Sequence, residues 1–311
     1  MTTTAVTIGN FDGVHLGHRA LIDRARTLAL RVVALAFDPH PTAVLRPEAA
    51  PPRLTTFEQR RAALYAAGAS EVVRLAPSAE LLNRSPHDFV AQLVQDHAPS
   101  FIVEGEDFRF GKARAGDIST LRQLGQSFRF SVEVVPPVEV ALGDHQIARA
   151  SSSLVRWLLS HGRVADAARV LGRNYQMTGI VIRGDQKGRT INCPTANLRS
   201  ECMPPADGVY AAWGSLADGQ RFPAALSIGT RPTFDGLDRR IEAHLLDFDP
   251  SILPSEYGWT LTIELVAWVR EQVRYHSIDA LREQIARDCD RVRDFLALPQ
   301  PNSRHRVSQC V

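Results

Sequence analysis

The sequence predicts an α/β domain with a parallel sheet, followed by a small antiparallel β-barrel with a terminal helix. Three observations predict this. The chain has 311 residues, which is more than one hydrophobic core usually serves, because domains of roughly 100 to 200 residues are the common unit. Strand and helix patterns alternate along the first half. Closely spaced strand patterns, separated by glycine and proline, fill the second half.

The first half begins with a strand, a loop and a helix. Ala5 to Ile8 forms a short apolar strand, Gly9 to Gly17 a loop, and apolar residues at helical spacing follow from Leu21 to Ala29. Further strands are predicted at 31–37, 71–75, 100–104 and 131–135, with helices at 56–67, 86–96, 118–124, 151–160 and 163–171. Such alternation implies a parallel sheet flanked by helices.

The second half changes character from Tyr175 onward. Its short β-rich segments suggest a barrel. A final helix is predicted after Ser277, a suitable N-cap residue, with one apolar face. That face consists of Ile278, Leu281, Ile285, Val292 and Phe295. We therefore predict one domain at residues 1–172, a second at 173–298 and a loose polar tail at 299–311.

Composition limits the possible functions. A net charge of +2 supplies no broad basic field for a nucleic acid backbone. The four cysteines are scattered without a C-x-x-C pair, which argues against a disulfide framework or a cysteine zinc site and fits a reducing cytoplasm. We expect no signal peptide, membrane anchor or membrane partner, because no apolar run approaches the roughly 20 residues that span a bilayer. The oligomeric state stays open.

The segment IGNFDGVHLGH (8–18) is the first candidate site. It combines a strand end, three glycines and two histidines, His15 and His18, just before a helix. Glycines let the backbone approach a ligand, a helix N-terminus favours negative charge, and imidazoles can donate to phosphate oxygens. The segment therefore suits a phosphate. Taken alone, the two histidines would more often be a metal pair or surface residues, although no third ligand stands out.

This segment resembles the HxGH signature of the nucleotidyltransferase superfamily, in the form typical of bacterial bifunctional riboflavin kinase/FAD synthetases. FDPHP (37–41), GEDFRFG (105–111) and ASSSLVR (150–156) follow in the order and approximate spacing of that family. The resemblance implies a Rossmann-like nucleotidyltransferase domain that adenylylates FMN. Ser153 stands where the family more often has threonine, and Ala150 where it has isoleucine.

The resemblance also assigns roles in this first site. His15 and His18 would be catalytic and contact the ATP phosphates. The other predicted ATP- and FMN-binding residues are Gly9, Asn10, Phe11, Asp107, Arg109, Ser151, Ser152, Ser153 and Arg156. Structural interpretations stay open: a serine run is usually a helix cap, Asp107 and Arg109 could form an ion pair, and His40 could simply fill a turn.

The segment GIVIRGDQKGRTINCPTANL (179–198) is the second candidate site. Gly184 and Gly188 lie in a loop that can bend around an anion. Thr195 and Asn197 offer neutral oxygens that suit a Mg²⁺ ion bridging nucleotide phosphates. The segment lacks GKS or GKT and is therefore not a P-loop.

This second segment resembles the glycine-rich loop and PTAN motif of riboflavin kinases, and GVY (208–210), IGTRPTF (228–234) and YG (257–258) fall where that family expects them. The resemblance implies that Glu242 is the catalytic base and that Arg270 contacts flavin or nucleotide. Glu242 could instead be an outward residue on an alternating strand, and Arg270 a solvated strand-end charge. Asn192 replaces the family's usual glycine, and Gln272 a commoner acidic residue.

The resulting hypothesis is a cytoplasmic, bifunctional enzyme that uses ATP and Mg²⁺, with riboflavin and FMN as substrates. One alternative keeps the adenylyltransferase alone, with the kinase impaired by Asn192 and Gln272. A second is a flavin-binding regulatory protein without catalysis, because a fold does not guarantee chemistry. A nucleic-acid-binding module is weaker, since the sequence has neither a basic stripe nor interleaved aromatic residues.

Overall fold

The computed structural model describes residues 3–184, 193–233, 236–253 and 255–297. The chain divides into two compact units. The first comprises Met1–Val140 and Ile147–Ser152, and the second comprises Ala141–Gln146 and Ser153–Val311. The predicted fold class is confirmed, because the first unit holds a parallel sheet with helices and the second a closed antiparallel barrel. The domain boundary at residue 172 stays a prediction; in this division the helices before it group with the barrel.

The sheet of the first unit has five parallel strands. They are β1 (Thr4–Gly9), β2 (Arg31–Phe37), β3 (Glu71–Leu75), β4 (Phe101–Gly105) and β5 (Ser131–Val135). Their order is β3-β2-β1-β4-β5, so the chain changes direction across the sheet between β1 and β4. In open α/β sheets, ligands bind at such a switch point, beyond the carboxyl ends of the strands.

Helices cover both faces of this sheet. They are α1 (Leu16–Leu28), α2 (Pro41–Leu45), α3 (Phe57–Ala67), α4 (Ala79–Leu82), α5 (Pro86–His97) and α6 (Ile118–Phe128). A capping box formed by Thr56 and Gln59 begins α3, and Gly68, at φ 106°, ends it. A small hairpin, β6 (Glu139–Ala141) and β7 (Ile147–Arg149), follows. Sequence periodicity does not predict α2, α4 and the hairpin, because these elements are too short to show a period.

Two helices precede the barrel, α7 (Ser152–Ser160) and α8 (Val164–Leu171), and from Ser153 onward they belong to the second unit. The barrel strands are β8 (Tyr175–Ile182), β9 (Ala196–Ser200), β10 (Gly208–Leu216), β11 (Arg221–Thr233), β12 (Gly236–Leu245) and β13 (Thr260–Arg270). They close in the order β10-β11-β12-β9-β8-β13. Along β12, Ile241, Ala243 and Leu245 are buried whereas Glu242 and His244 are only half-buried, as expected for a strand with one face on a core.

The terminal helix α9 (Ile278–Ala297) packs against the outside of the barrel. Val292 joins Val209, Ala211 and Val269 in a buried apolar cluster, with Phe295 at its edge. The predicted apolar face is confirmed at Val292 and Phe295. The prediction is wrong at Ile278, which is 60% exposed, because the cluster lies against the C-terminal half of the helix. Within the described residues, no helix combines the length and apolar character needed to cross a membrane.

Candidate active sites

The loop between β1 and α1 is sharply bent. Phe11 and Val14 have positive φ angles of 48° and 41°, and Gly13 lies between them at 83°. The Val14 N–H donates to the Phe11 carbonyl at 3.0 Å. Positive φ is uncommon for a phenylalanine and unfavourable for a β-branched valine. Such strain clusters at ligand sites, where surrounding contacts hold it in place.

This bend brings His15 and His18 together at the start of α1. Their ring centroids are 3.6 Å apart in a stacked arrangement, and the Phe11 ring meets His18 edge-on at 5.1 Å. A side chain at Gly17 would place its Cβ 3.1 Å from the His15 ring, so glycine allows this close approach. The imidazoles therefore stand beside a helix N-terminus, where negative charge is favoured.

The metal-pair interpretation needs further ligands beside the two histidines. No group of three or more His, Cys, Asp or Glu side chains able to hold a metal occurs within the described ranges.

The buried carboxylate of Asp12 fixes the loop between β1 and α1 to residues 54–55. Asp12 accepts hydrogen bonds from the Leu54 and Thr55 backbone N–H groups, both at 3.0 Å, and from the Thr55 hydroxyl at 3.0 Å. The Gly13 N–H donates to that same hydroxyl oxygen at 3.1 Å. The Ser152 hydroxyl donates to the Asp12 carbonyl at 2.7 Å. Ser152 thus stabilises the loop, a role beyond the helix-cap interpretation. Sequence patterns alone do not predict the structural role of Asp12 or Thr55.

The FDPHP segment meets the first loop through His40. This residue is the N-cap of α2, and its Nδ1 accepts a hydrogen bond from the Thr42 N–H at 3.1 Å. The Asn10 side-chain amide lies 3.0 Å from the His40 Nε2. The turn interpretation of His40 and its association with the first motif therefore both hold. The Asp38–Pro39 peptide bond is cis.

The Asn10 amide also has an end turned away from His40. The atom at that end is buried and has no hydrogen-bond partner within the part of the chain that the structure describes. Buried polar atoms normally have partners, so this end of the amide is available to a polar group of a ligand.

The charged residues of the GEDFRFG segment, Glu106, Asp107 and Arg109, are exposed. The Asp107 carboxylate lies 3.3 Å from the Arg149 guanidinium, and Arg109 lies 4.0 Å from Asp117. Asp107 and Arg109 therefore have different partners, contrary to the ion-pair interpretation. Ser153, which is exposed, and Arg156, which is half-buried, lie on the first turns of α7, in the second unit.

Glu104 is a buried acid at the switch point of the sheet. It is the last residue but one of β4, is 2% exposed, and accepts a hydrogen bond from the Ile8 N–H at 2.6 Å. Burial raises the pKa of Glu104 well above its usual range and outweighs the Ile8 N–H, which favours the ionised form; the negative charge of Asp107 raises the pKa further. The carboxyl group consequently keeps its proton to higher pH than an exposed glutamate does.

This raised pKa predicts a pH-dependent loss of stability. Because the folded protein binds the proton more tightly than the unfolded chain, stability falls as pH rises from about 4.3, the ordinary glutamate pKa, to the raised value. Each unit by which the pKa is raised corresponds to about 1.4 kcal/mol. The Glu104→Gln side chain cannot ionise. The melting temperature of this variant minus that of the parent should therefore increase between pH 5 and pH 8. Glu106→Gln, at an exposed position, is the matched control. If the difference in melting temperature between Glu104→Gln and the parent were the same at pH 5 and pH 8, the prediction would be contradicted.

In the second unit, polar residues form a row across three strands. Glu242 on β12 lies opposite Asn197 on β9 and opposite Ser227 on β11. The Gln272 side-chain N–H donates to the Ser227 hydroxyl at 2.9 Å. Glu242 does lie on an alternating strand, as the structural interpretation held, but its cross-strand neighbours are polar and could bind a ligand.

Gly184, the first glycine of the predicted glycine-rich loop, lies next to Asn197 in this row. A Cβ at Gly184 would lie 2.1 Å from the Asn197 amide nitrogen, so glycine lets the loop pass directly over Asn197. Thr195 immediately precedes β9 and is half-buried. Gly188 and Asn192 lie outside the described residues. The structure thus brings together Gly184, Asn197 and Glu242, and leaves Gly188 as a prediction.

A cavity of about 440 Å³ opens beside the PTAN motif. Its lining consists of Pro194, His244, Leu245, Leu246, Asp247, Phe248, Asp249, Cys289 and Arg293. His244 shares the outer face of β12 with Glu242, and its Nδ1 donates to the Pro194 carbonyl at 2.8 Å. Such a volume suits a small molecule. No local sequence pattern predicts this lining, because α9 contributes Cys289 and Arg293 to it from far along the chain.

Cys193 lies next to this site. Burial first of all, together with the neighbouring Cys289 and Glu242, raises the pKa of the Cys193 thiol to about 12. The thiol therefore stays protonated and unreactive at neutral pH.

Arg270 is held by the terminal helix. Its guanidinium donates to the Asp288 carboxylate at 2.6 and 2.9 Å, and its side chain is only 20% exposed. These hydrogen bonds raise the pKa of Arg270. The solvated interpretation is therefore wrong, and the ion pair ties β13 to α9. The predicted flavin or nucleotide contact stays a prediction.

Together, the two units define a class of protein. An α/β unit with an HxGH loop at its switch point is of the nucleotidyltransferase type, and a six-stranded barrel with a PTAN strand facing a glutamate is of the riboflavin kinase type. The chain is thus a two-part transferase.

Comparisons with known proteins identify the family. The models for FAD synthetase and riboflavin kinase match residues 1–150 and 171–296. The bifunctional riboflavin kinase/FMN adenylyltransferase of Escherichia coli strain K12 is 34% identical over 303 residues, covering 95% of this chain and 94% of the relative. That of Haemophilus influenzae is 33% identical, covering 94% of each. The chain belongs to the family of bifunctional riboflavin kinase/FMN adenylyltransferases.

A solved structure also matches along most of the chain. The crystal structure of a macrolide-efflux protein from Streptococcus pneumoniae is 29% identical, covers 94% of each chain and has a TM-score of 0.83.

Proposed function

We propose that this chain makes both flavin cofactors in succession. The barrel unit transfers the γ-phosphate of ATP to riboflavin, giving FMN and ADP. The α/β unit transfers the AMP part of a second ATP to FMN, giving FAD and pyrophosphate. The observation that carries the proposal is the presence of both transferase motif sets in one chain that aligns along 95% of its length with a bifunctional relative.

In the adenylyl transfer, an FMN phosphate oxygen attacks the α-phosphorus of ATP, and pyrophosphate leaves. Catalysis of such a step comes mainly from positioning and from stabilising charge on the transferring group. The stacked His15 and His18 rings, next to the α1 N-terminus, would donate to the phosphates. Gly9, Phe11 and the buried Asn10 amide would complete the binding loop, and Asp107 and Arg109 would contact the flavin nucleotide.

The second phosphate-holding segment is proposed from the family motif. It comprises Ser151, Ser152, Ser153 and Arg156. Its hydroxyl and guanidinium groups provide the donors that phosphate oxygens need.

In the kinase reaction, Glu242 would take the proton from the ribityl hydroxyl as that oxygen attacks the γ-phosphorus. The cavity beside Pro194 and His244 lies on the same face of β12 and has room for a nucleotide, at about 440 Å³. We assign it to ATP. Gly184 and Gly188 would then border the phosphates, with Arg270 at the flavin or nucleotide.

Thr195 and Asn197 would hold the Mg²⁺ ion of the kinase. The donor set fits this ion, because Asn197 faces the Glu242 position across the ladder and Mg²⁺ prefers oxygen ligands while keeping several waters. When bound, the ion neutralises charge on the nucleotide phosphates.

The remaining alternatives differ in the kinase. Gln272 bonds the Ser227 hydroxyl beside Glu242, so an amide is accommodated there and a kinase weakened by Gln272 is not favoured. Asn192 lies outside the described residues and keeps the impaired-kinase alternative open. Binding without catalysis is disfavoured by the retention of His15, His18 and Glu242. The free cysteines Cys193, Cys202 and Cys289 fit a reducing cytoplasm.

The decisive test uses the purified, flavin-free protein with riboflavin, ATP and Mg²⁺. Chromatography over time should show FMN first and FAD afterwards. If riboflavin stays unchanged while added FMN becomes FAD, the adenylyltransferase-only alternative holds. If neither flavin is converted, the proposal fails and flavin binding becomes the function to test.

A further inference from the structure

Arg60 lies almost fully buried beneath the first site. It belongs to α3, and its side chain is 4% exposed. One nitrogen, Nη1, donates to two carbonyl groups, Asn10 at 2.9 Å and Phe37 at 2.7 Å. The other terminal nitrogen, Nη2, donates to the Thr55 carbonyl at 3.4 Å. A single side chain thus collects carbonyl groups from three segments.

Two of these carbonyl groups occupy special positions. Asn10 is in the loop that leads to His15 and His18, and Phe37 is the last residue of β2, directly before the segment that contains His40. Because β1 and β2 are parallel neighbours, both loops leave the sheet at the same edge. Two carbonyl oxygens aimed at one point repel each other unless a donor lies between them, and Nη1 is that donor.

Charged side chains of both signs surround Arg60. The Asp12 and Asp38 carboxylates lie 3.9 and 3.6 Å from Nη2. Burial lowers the pKa of Arg60, while Asp12 and Asp38 raise it and Arg53 and Arg74 lower it. Arginine nevertheless remains a cation under these conditions. Asp12 is also the residue that receives the Leu54 and Thr55 N–H groups.

We propose that Arg60 is a positioning residue of the adenylyltransferase site. By donating to the Asn10 and Phe37 carbonyl groups, it fixes the position of the His15/His18 loop relative to the segment that contains His40. Arg60 touches no substrate and acts through these histidines. The inference rests on the proposed adenylyl transfer to FMN.

The test compares three variants in the full-length chain. Arg60→Met keeps the apolar stem but removes the charge and donors, and should lower kcat for FMN adenylylation by about 100-fold, the cost of a misplacement near 1 Å. The KM for ATP should change much less. Arg60→Lys should restore most of kcat, because both carbonyl groups are bonded by one nitrogen and an ammonium group supplies three donors. Arg61→Met, at an exposed position on the same helix, should match the parent.

Phosphorylation of riboflavin by the same molecules is the internal standard and should stay constant. If Arg60→Met does not fold, by near-ultraviolet circular dichroism, Arg60→Gln takes its place. The inference is overturned by a folded Met or Gln variant with the parent's kcat, or by a Lys variant as impaired as Arg60→Met. Failure of the parent itself to convert FMN to FAD would instead reject the proposed function.

Discussion

Replacing His15 and His18 together by alanine should abolish the conversion of FMN to FAD and leave the phosphorylation of riboflavin intact. The two rings stack at 3.6 Å beside the start of α1, where they would stabilise charge that develops on the transferring phosphate. Loss of one such donor typically costs about 10²–10³ in kcat, so loss of both should exceed about 10³. Separate assays with riboflavin and with FMN as substrate measure the two rates.

The control for this prediction is His87→Ala, which removes an exposed imidazole from the same unit. It should leave both reactions unchanged. A folded double variant that still makes FAD at the rate of the parent would show that the histidines are not catalytic. Loss of both reactions in a folded double variant would contradict two independent sites.

The sequence predicted the scaffold of the first site well. The strand predicted at 31–37 is β2 as observed, and the one predicted at Ala5 to Ile8 is β1 with one extra residue at each end. Both are apolar runs that end at a glycine or just before a proline turn, Gly9 for β1 and Asp38–Pro39 for β2. Since parallel strands end at the same edge of a sheet, the motifs that follow them were bound to meet, and the contact of Asn10 with His40 is the result.

Long-range contacts account for what the sequence did not predict. Arg60 and Glu104 sit in an ordinary helix and an ordinary strand, and only the packing shows that one bonds two strand-end carbonyl groups and the other the Ile8 amide. The sequence did not predict the strand β9, because ANLRS is largely polar and lacks the alternation of a half-buried strand. The cavity lining joins β12 to α9 across some forty residues, beyond the reach of any local pattern.

Substituting glutamine for Glu242 should have the opposite effect to the histidine change. Glutamine keeps the shape of the side chain and its place opposite Asn197 and Ser227, but it cannot take a proton from the ribityl hydroxyl. Loss of a general base typically costs about 10²–10⁴ in rate, so riboflavin phosphorylation should fall by that factor. The KM for riboflavin should change little, because a base contributes mainly to the transition state.

The same variant should convert added FMN to FAD at the parent's rate, which shows that it is folded and that only the kinase is lost. Glu271→Gln, at an exposed position outside the row, should leave both rates unchanged. If Glu242→Gln phosphorylated riboflavin as fast as the parent, Glu242 would be no more than an outward strand residue, and the base would have to be sought elsewhere around the cavity. If instead KM rose while kcat stayed constant, the side chain would bind substrate or Mg²⁺ equally in ground and transition states, and the proton would leave by another route.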